Sequence, residues 1–452
     1  MKRNLILIAV VIFGIQLATA QTIIKRDPAI HQMAGQISAQ EIEQNILKLV
    51  SFHSRHNLSQ QDHQEIGIGA SWNWIKQEFE SYIPDSEGRL MVEFDEYTTG
   101  GQKQRLPDEV LLKNVIATLK GTNPDDDRII LIIAHLDSRA ARDLDNTTFA
   151  PGANDNGSGV AAILEMARIM SRHKFSATIK FAALSGEEQG LLGARHLAKR
   201  AKDENWNIIA VLNNDMIGNS GSSGTLLNDN TRVRVFSEGI PAFETDAMTS
   251  LRRYTSGEND GRARQLARYV KEVGERYVDQ IDVTLIFRND RFGRGGDHTP
   301  FAQQGFTAVR ICEYNENYDR THQVVRVVDG IQYGDLPEGV DYEYVRKNTG
   351  VNLATVANLA NAPYQPTNAG IRMSGLSNST TIGWEEPEQG RKPAGYYILM
   401  RETYMPLWQK KIFVTGTQVT IPYSKDNYFF AVQSVDEEGH ESLPVFPGQM
   451  RR

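Results

Sequence analysis

Hydrophobic and polar positions along the chain fall into successive regimes. In AQEIEQNILKLVSFHS, Ile42, Ile46, Leu49 and Val50 share one helical face, and in ASWNWIKQEFESYI the same holds for Trp72, Ile75, Phe79 and Tyr82. LMVEFDEYTT and VLLKNVIATLKG then read as strands, the second closed by Gly121 and the turn cluster NPDDD. From there strands and helices alternate: RIILIIAH, GVAAILEMARIMSRH, TIKFAALSG, QGLLGARHLAKRAKD, NIIAVLNND. A Gly/Ser-rich loop (218–230) leads to the strand RVRVFSE, and NDGRARQLARYVKEVGERYV forms a basic amphipathic helix with a solvated face. VTLIFRND, the loop RFGRGGDHTPFAQQG, the strand TAVRI and the polar loop EYNENYDRTHQ follow. Nearly continuous apolar strands separated by helices predict an α/β domain whose mostly parallel central sheet is covered by helices on both faces.

The rhythm changes near NAPYQPTNAG. Beyond Pro366 come short alternating strands, TTIGWEE, GYYILMRE, KKIFV, QVTIPY and NYFFAVQSVD, with the spacing of a small all-β sandwich. Trp384 on an early strand and Tyr428 on a late one sit where such a domain puts its core Trp and corner Tyr, and the segment resembles a fibronectin type III domain. At the other end, Lys2 and Arg3 precede the apolar run LILIAVVIFGIQL and the small residues Ala18-Thr19-Ala20, which predicts a signal peptide cleaved after Ala20. The apolar run is shorter than the roughly 20 residues that span a bilayer, and no other stretch is long enough. The expected organisation is a signal peptide (1–20), a polar, loosely docked N-terminal arm (21–38), an α/β domain (39–360) and the sandwich (366–452), exported to the periplasm or the extracellular space.

Composition narrows this picture. With 23% charged and 40% hydrophobic residues the 452-residue chain is ordinary for a soluble globular protein, and its net charge of −7 argues against nucleic acid as a partner. The single cysteine, Cys312, excludes an intramolecular disulfide, so stability must come from the core and from bound metal. Within the apolar run TAVRIC, Cys312 reads as a core thiol rather than a nucleophile.

Five side chains carry the candidate chemistry: His135, Asp155, Glu188, Asp215 and His322. Each follows an apolar strand run or lies in an adjoining polar or Gly-rich loop, and in an open α/β sheet the crevice lies beyond the carboxyl ends of the strands. Taken singly each has a plainer role. His-x-Asp in AHLDS is an ordinary hydrogen-bonding pair, Asp155 or Asn156 in PGANDNGSG suits a helix N-cap, and Glu187-Glu188 in SGEEQG complements a helix dipole. Together, mixed imidazole and carboxylate ligands of this number suit two zinc ions. Asp137, two residues beyond His135, is placed to accept the second imidazole N–H, and of the paired acids one can bind metal while the other takes a proton from bound water. His53 and His56 in SFHSRH, and His196 within a helix, read as packing or surface residues, while Asp297 and Glu313 are candidates to recognise a substrate amine.

These stretches, in their order, resemble the secreted di-zinc aminopeptidase family, relatives of the bacterial leucyl and general aminopeptidases, with glutamate carboxypeptidase-like and glutaminyl-cyclase-like branches. The resemblance runs from about Glu41 to Ala360. It implies that His135 and Asp215 hold one zinc, Glu188 and His322 the other, and that Asp155 bridges both. It also implies Glu187 as general base, Asp137 as the residue orienting His135, and a cis peptide at Asp155-Asn156. Relatives usually carry Tyr-His-Thr at the last ligand, where this chain has Arg320-Thr321-His322-Gln323; His298 in GGDHTPF is the alternative ligand. The implied activity is that of a secreted metal-dependent exopeptidase acting on peptides or proteins, an aminopeptidase first. A carboxypeptidase or a glutaminyl-cyclase-like transferase shares the fold. A reading of another class, an inactive binding or adhesion protein working through the sandwich, calls for a lost ligand, and none is lost.

Overall fold

The structure, a computed structural model, describes residues 22–450; the expected signal peptide lies outside the described residues. Eight strands build the central sheet: β1 (Leu90–Thr99), β2 (Val110–Leu119), β3 (Arg128–His135), β4 (Thr178–Leu184), β5 (Asn207–Asn214), β6 (Arg232–Phe236), β7 (Asp282–Ile286) and β8 (Ala308–Glu313). Their order is β1-β2-β4-β3-β5-β8-β6-β7. Neighbours β4, β3, β5 and β8 run parallel, as do β6 and β7, while β1–β2, β2–β4 and β6–β8 are antiparallel. The parallel centre therefore sends the carboxyl ends of β3, β4, β5 and β8 to one edge, where the crevice forms.

Both faces of β3 are buried, and its period of two sorts its side chains between two cores. Ile130, Ile132 and Ala134 pack with α2 (Ala39–Val50), α4 (Gly157–Met170), α7 (Arg262–Tyr277) and α9 (Tyr342–Asn361), together with α1 (Pro28–Gly35) and α3 (Gly67–Ser81). Leu131 and Ile133 pack on the other face against α5 (Leu192–Asp203) and α8 (His298–Gln303). Each such Ile or Leu side chain contributes roughly 1.5–3 kcal/mol by leaving water. A further helix, α6 (Asp246–Thr255), has no buried residue, and among the described residues no helix is long and apolar enough to cross a membrane.

The stretch 21–38, expected to be a loosely docked arm, is instead held firmly from α1 onward. Ile30, Met33 and Ile37 are buried at three- and four-residue steps against α9 and α7. Asp27 caps the helix, and its own amide donates to the Tyr277 hydroxyl at 2.8 Å. An eight-residue helix with three buried apolar positions leaves too short a periodic signal to stand out in the sequence.

A hairpin, β9 (Arg326–Val328) and β10 (Ile331–Tyr333), precedes α9. Beyond α9 lie β11 (Thr367–Ile371), β12 (Thr380–Glu385), β13 (Gly395–Glu402), β14 (Lys410–Val414), β15 (Gln418–Ile421), β16 (Tyr428–Val435) and β17 (Gly448–Gln449). They form a four-stranded sheet, β15-β12-β11-β17, and a three-stranded one, β14-β13-β16. The sheets share a core of Ile382, Trp384, Tyr396, Ile398, Met400, Ile421, Phe430 and Val432, so they pack as a two-layer sandwich. Trp384 is in that core, meeting Tyr396 edge-on at 5.2 Å, while Tyr428 is half-buried against Tyr423.

Charged side chains join the sandwich to α7 and α1. The Asp260 carboxylate receives Arg401 at 2.6 Å and Arg268 at 3.3 Å, all three buried. Glu441 receives Arg276 at 3.0 Å and Lys411 at 2.7 Å. His440 stands between Asp436 at 2.7 Å and Asp27 at 2.9 Å.

Candidate metal centre

β3 ends on His135, and the loop after it approaches α4 through Asp155. The α4 N-cap is Asn156, whose side chain accepts the Gly159 amide at 3.1 Å, which leaves the Asp155 carboxylate uncommitted to the helix. A Cβ on Gly159 would lie 2.5 Å from the Asn214 carbonyl, so only glycine lets this turn close on β5. The Asp155-Asn156 peptide is cis. β4 runs into Glu187 and Glu188 through Gly186, whose φ of +88° favours glycine. β5 ends just before Asp215, whose amide donates to the Ile311 carbonyl at 3.2 Å, and the loop beyond β8 brings in His322.

These residues converge as two groups that share one carboxylate. His135 Nε2 lies 3.3 Å from Asp155 Oδ1 and 3.7 Å from Asp215 Oδ1. His322 Nε2 lies 3.0 Å from Asp155 Oδ2 and 2.9 Å from Glu188 Oε1. Two atoms each about 2.1 Å from one tetrahedral zinc lie about 3.4 Å apart, so both groups have the spacing of ligands to a common ion. Within each triad the ligand atoms all lie within 4.8 Å of one another. The two oxygens of Asp155 face different triads, as a bridging carboxylate must.

The electrostatics fit the same donors. Burial lowers the His322 imidazole, but Glu188 and Asp155 push it up to about 10, and Asp137, Asp155 and Asp215 hold the His135 imidazole well above its ordinary value against burial. Both rings thus serve the acids as cations, the role a metal takes over when the rings lose their protons to ligate. Glu187 belongs to neither triad. Burial, joined by Glu188, Asp215 and Asp297, pushes its carboxyl well above the ordinary range, with His135 pulling the other way.

A family model described as Peptidase family M28 matches residues 114–336. A probable zinc metalloprotease of the fungus Leptosphaeria maculans is 42% identical over 420 residues, covering 92% of this chain and 96% of that protein. The chain belongs to peptidase family M28. In fold, this M28 peptidase is similar to the aminopeptidase LapA of Legionella pneumophila (TM-score 0.52, 18% identical, covering 76% of this chain and 78% of that one). It is likewise similar to an aminopeptidase of Aneurinibacillus sp. strain AM-1 (TM-score 0.52, 15% identical, covering 74% and 96%).

Other residues singled out in the sequence fall around this site in distinct ways. Asp137 faces His135 Nδ1 with both its backbone carbonyl, at 3.1 Å, and its carboxylate, at 3.7 Å. The carboxylate also accepts the amides of Glu187 at 3.3 Å and Glu188 at 3.1 Å, and Asn57 Nδ2 at 2.8 Å, so it fixes the loop that presents both acids. His298 is in neither triad; its Nε2–H donates to the Asn289 carbonyl at 2.8 Å. Glu313 is buried and accepts Asn154 Nδ2 and the Asn219 amide, each at 2.8 Å, which makes it a support for the Asp155 loop rather than a cleft group. Asp297 is buried with neither oxygen hydrogen-bonded among the described residues, and burial pushes it up to about 8, aided by Asp137 and Asp215 and opposed by His135 and Arg310. His56 donates to the Asp143 carbonyl, His53 stacks on Phe149 and His196 on Tyr97. Burial pushes the Cys312 thiol up to about 11, so it is inert at neutral pH.

Three buried supports of the M28 peptidase site have no counterpart in the sequence reading. Arg55 donates to the carbonyls of Leu136 (2.7 Å), Leu49 (3.0 Å), Pro151 (2.7 Å) and Gly152 (2.8 Å), tying the His135 loop to the Asp155 loop. Asp335 accepts the amides of Asn154 at 3.0 Å and Asp155 at 2.7 Å. Arg310 lies 3.0 Å from Asp215 Oδ1 and 2.8 Å from Asp290. Only Arg310 carried a signal, a charge in the middle of an apolar strand run.

Proposed function

We propose that this chain is an exported aminopeptidase that removes amino-terminal residues from peptides with two zinc ions, one held by His135, Asp155 and Asp215 and the other by Asp155, Glu188 and His322. The observation that carries the reading is the division of the two Asp155 oxygens between two donor triads, with a third acid, Glu187, left beside them. The fungal relative, a probable zinc metalloprotease, supports zinc and proteolysis, and the two proteins alike in fold are aminopeptidases. Export rests on the signal predicted at 1–20, and the sandwich is read as a fibronectin type III-like companion docked through α7.

Zinc in such a site supplies Lewis acidity to the scissile carbonyl and lowers the pKa of the attacking water. Glu187 takes the proton from that water and passes it to the leaving amine, a transfer that suits a carboxyl raised above its ordinary range. Asp137 keeps Glu187 and Glu188 in register by holding both their amides. Arg55 and Asp335 keep the Asp155 loop from drifting, which matters because misplacement of a catalytic group by about 1 Å can cost on the order of 100-fold in rate.

Digestion of unmodified peptides followed by mass spectrometry tests the reading, with metal counting on the purified protein. Stepwise loss from the amino end, stopped by a chelator and by Glu187→Gln, with two zinc ions per chain, is expected. Cleavage confined to the carboxyl end, or indifferent to the chelator, overturns the aminopeptidase. One zinc per chain, or a metal content unchanged in His322→Ala and reduced in His298→Ala, overturns the ligand assignment.

A further inference from the structure

We infer that the cleft selects substrates carrying a carboxylate beside the scissile bond, an inference that rests on the peptidase reading above. The cleft encloses about 330 Å³ and is lined, besides the candidate metal ligands and Glu187, by Arg105, Arg139, Arg291 and Arg294. Leu191 is the one large apolar side chain among its lining residues. A pocket for a leucyl or aromatic side chain is walled by apolar groups, and this one is not.

The guanidinium groups outnumber the acids that pair with them. Arg105 and Arg139 share a single carboxylate, Asp143, at 2.6 and 2.8 Å. On the β7–α8 loop, Arg291 reaches Asp290 at 3.3 Å and Glu316 at 3.0 Å, but Arg310 also holds Asp290 (2.8 Å) and Arg234 also holds Glu316 (2.7 Å). Arg294 is exposed and has no ion pair among the described residues. Six guanidiniums thus face three carboxylates, once Glu188 and Asp215 are counted with the metal ligands.

Arg139 also contacts Glu188 at 2.9 Å and His322 Nδ1 at 2.8 Å. Arg139 thus lines the cleft directly against the ligand triad that holds Glu188 and His322. Planar guanidinium forks match carboxylates in two-point contact, and in a narrow cleft their field is concentrated. The carboxylate has two possible sources in a peptide: an acidic side chain next to the scissile bond, or the free α-carboxylate of a very short peptide.

The experiment measures kcat/KM of the zinc-loaded protein on tripeptides beginning with Glu, Gln or Leu, each with a free or an amidated carboxyl end, at low and high salt. Carboxylate-bearing substrates are expected to be favoured roughly 10- to 100-fold, chiefly through KM, the scale of losing a charged hydrogen bond. That preference shrinks in 1 M salt and in Arg105→Gln, Arg294→Gln and the double variant, with thermal melts confirming that the variants fold. Preference for Glu over Gln in the amidated series assigns the side chain as the source; preference for free over amidated ends whatever the first residue assigns the α-carboxylate. Equal hydrolysis of amidated Gln and Leu peptides and of their acidic counterparts overturns the inference while leaving the peptidase standing, as does a preference untouched by the arginine changes. No hydrolysis of any peptide overturns the peptidase reading and this inference with it.

Discussion

Two regions of this molecule bury dense clusters of charge, and they differ in whether the charges cancel. At the seam between the α/β domain and the sandwich, Asp260 faces Arg268 and Arg401, Glu441 faces Arg276 and Lys411, and His440 lies between Asp27 and Asp436. Every acid there has a cationic partner from the protein, so the cluster is complete and joins the two domains. In the cleft, Asp155 lies between His135 and His322, Glu188 meets His322 and Arg139, and Asp215 meets His135 and Arg310, but Glu187 has no cationic partner within ion-pair distance among the described residues and is kept above its ordinary range by burial and its acidic neighbours. Buried charge left unbalanced is costly and persists where a ligand completes it. The seam is a structural cluster and the cleft a candidate functional one, and the unpaired acid Glu187 tells them apart.

The largest effect that separates the two regions comes from removing metal. A chelator is expected to abolish peptide hydrolysis and to lower stability by about 2.7 kcal/mol relative to protein at free zinc 100 times its Kd. Hydrogen exchange of seam amides such as those of His440 and Glu441 should stay as protected as in the loaded protein, and loss of protection there would show that the two clusters are coupled. Next in size, Glu187→Gln should lower kcat roughly 10²- to 10⁴-fold, the usual worth of a positioned proton carrier, with zinc content unchanged. A normal kcat in that variant removes Glu187 from the chemistry.

The seam is broken by the opposite kind of change. Asp260→Ala strands Arg268 and Arg401 in the interior, and uncompensated buried charges of this kind cost about 3–5 kcal/mol. A denaturant melt should show that loss, while kcat per folded molecule remains that of the parent. A melt within error of the parent would mean that the two arginines find water or other acceptors when Asp260 is gone.

How much of this was legible in the sequence follows from the same physics. β3, β4, β5 and β8 are apolar runs because both their faces are covered, so their ends, and the residues just beyond them, could be placed without the structure. The 20-residue helix α9 could not, since its apolar stripe is interrupted by Asn348, Asn352, Thr355 and Asn358. These side chains are buried and bond within the protein: Asn352 exchanges hydrogen bonds with Asn214 at 2.8 and 3.1 Å, Asn358 accepts the Tyr269 hydroxyl at 2.6 Å, and Asn348 Nδ2 donates to the Ile217 carbonyl at 2.8 Å. Arg55 and Asp335 were invisible for a related reason. Apart from the Leu49 carbonyl, their partners are backbone groups about 80 to 180 positions away, and a main-chain carbonyl or amide leaves no mark on the residue type that offers it.

The smallest of the expected effects probes the weakest joint of the seam. Burial lowers the His440 imidazole, but Asp436 and Asp27 more than offset it and hold the ring above its ordinary value; in turn His440, with Arg391 at 3.6 Å, keeps the Asp436 carboxyl below its own, against burial. A group raised on folding lends stability in full below its unfolded pKa, about 6.5 for His, and loses it as pH rises through the folded value. A lowered carboxylate lends it above about 3.9 and loses it as pH falls. The contact is therefore strongest between roughly pH 4 and 6.5. His440→Gln keeps hydrogen bonding but not charge and should cost about 1–2 kcal/mol in that window, with the difference from the parent closing as pH rises. Because Asp27 sits at the start of α1, the loss should appear first as faster exchange of the α1 amides. A parent and variant that differ equally at pH 5.5 and pH 9 would place the contribution of His440 in packing instead of charge, and would leave the Asp260 and Glu441 pairs, with Lys411–Glu272, to join the seam electrostatically.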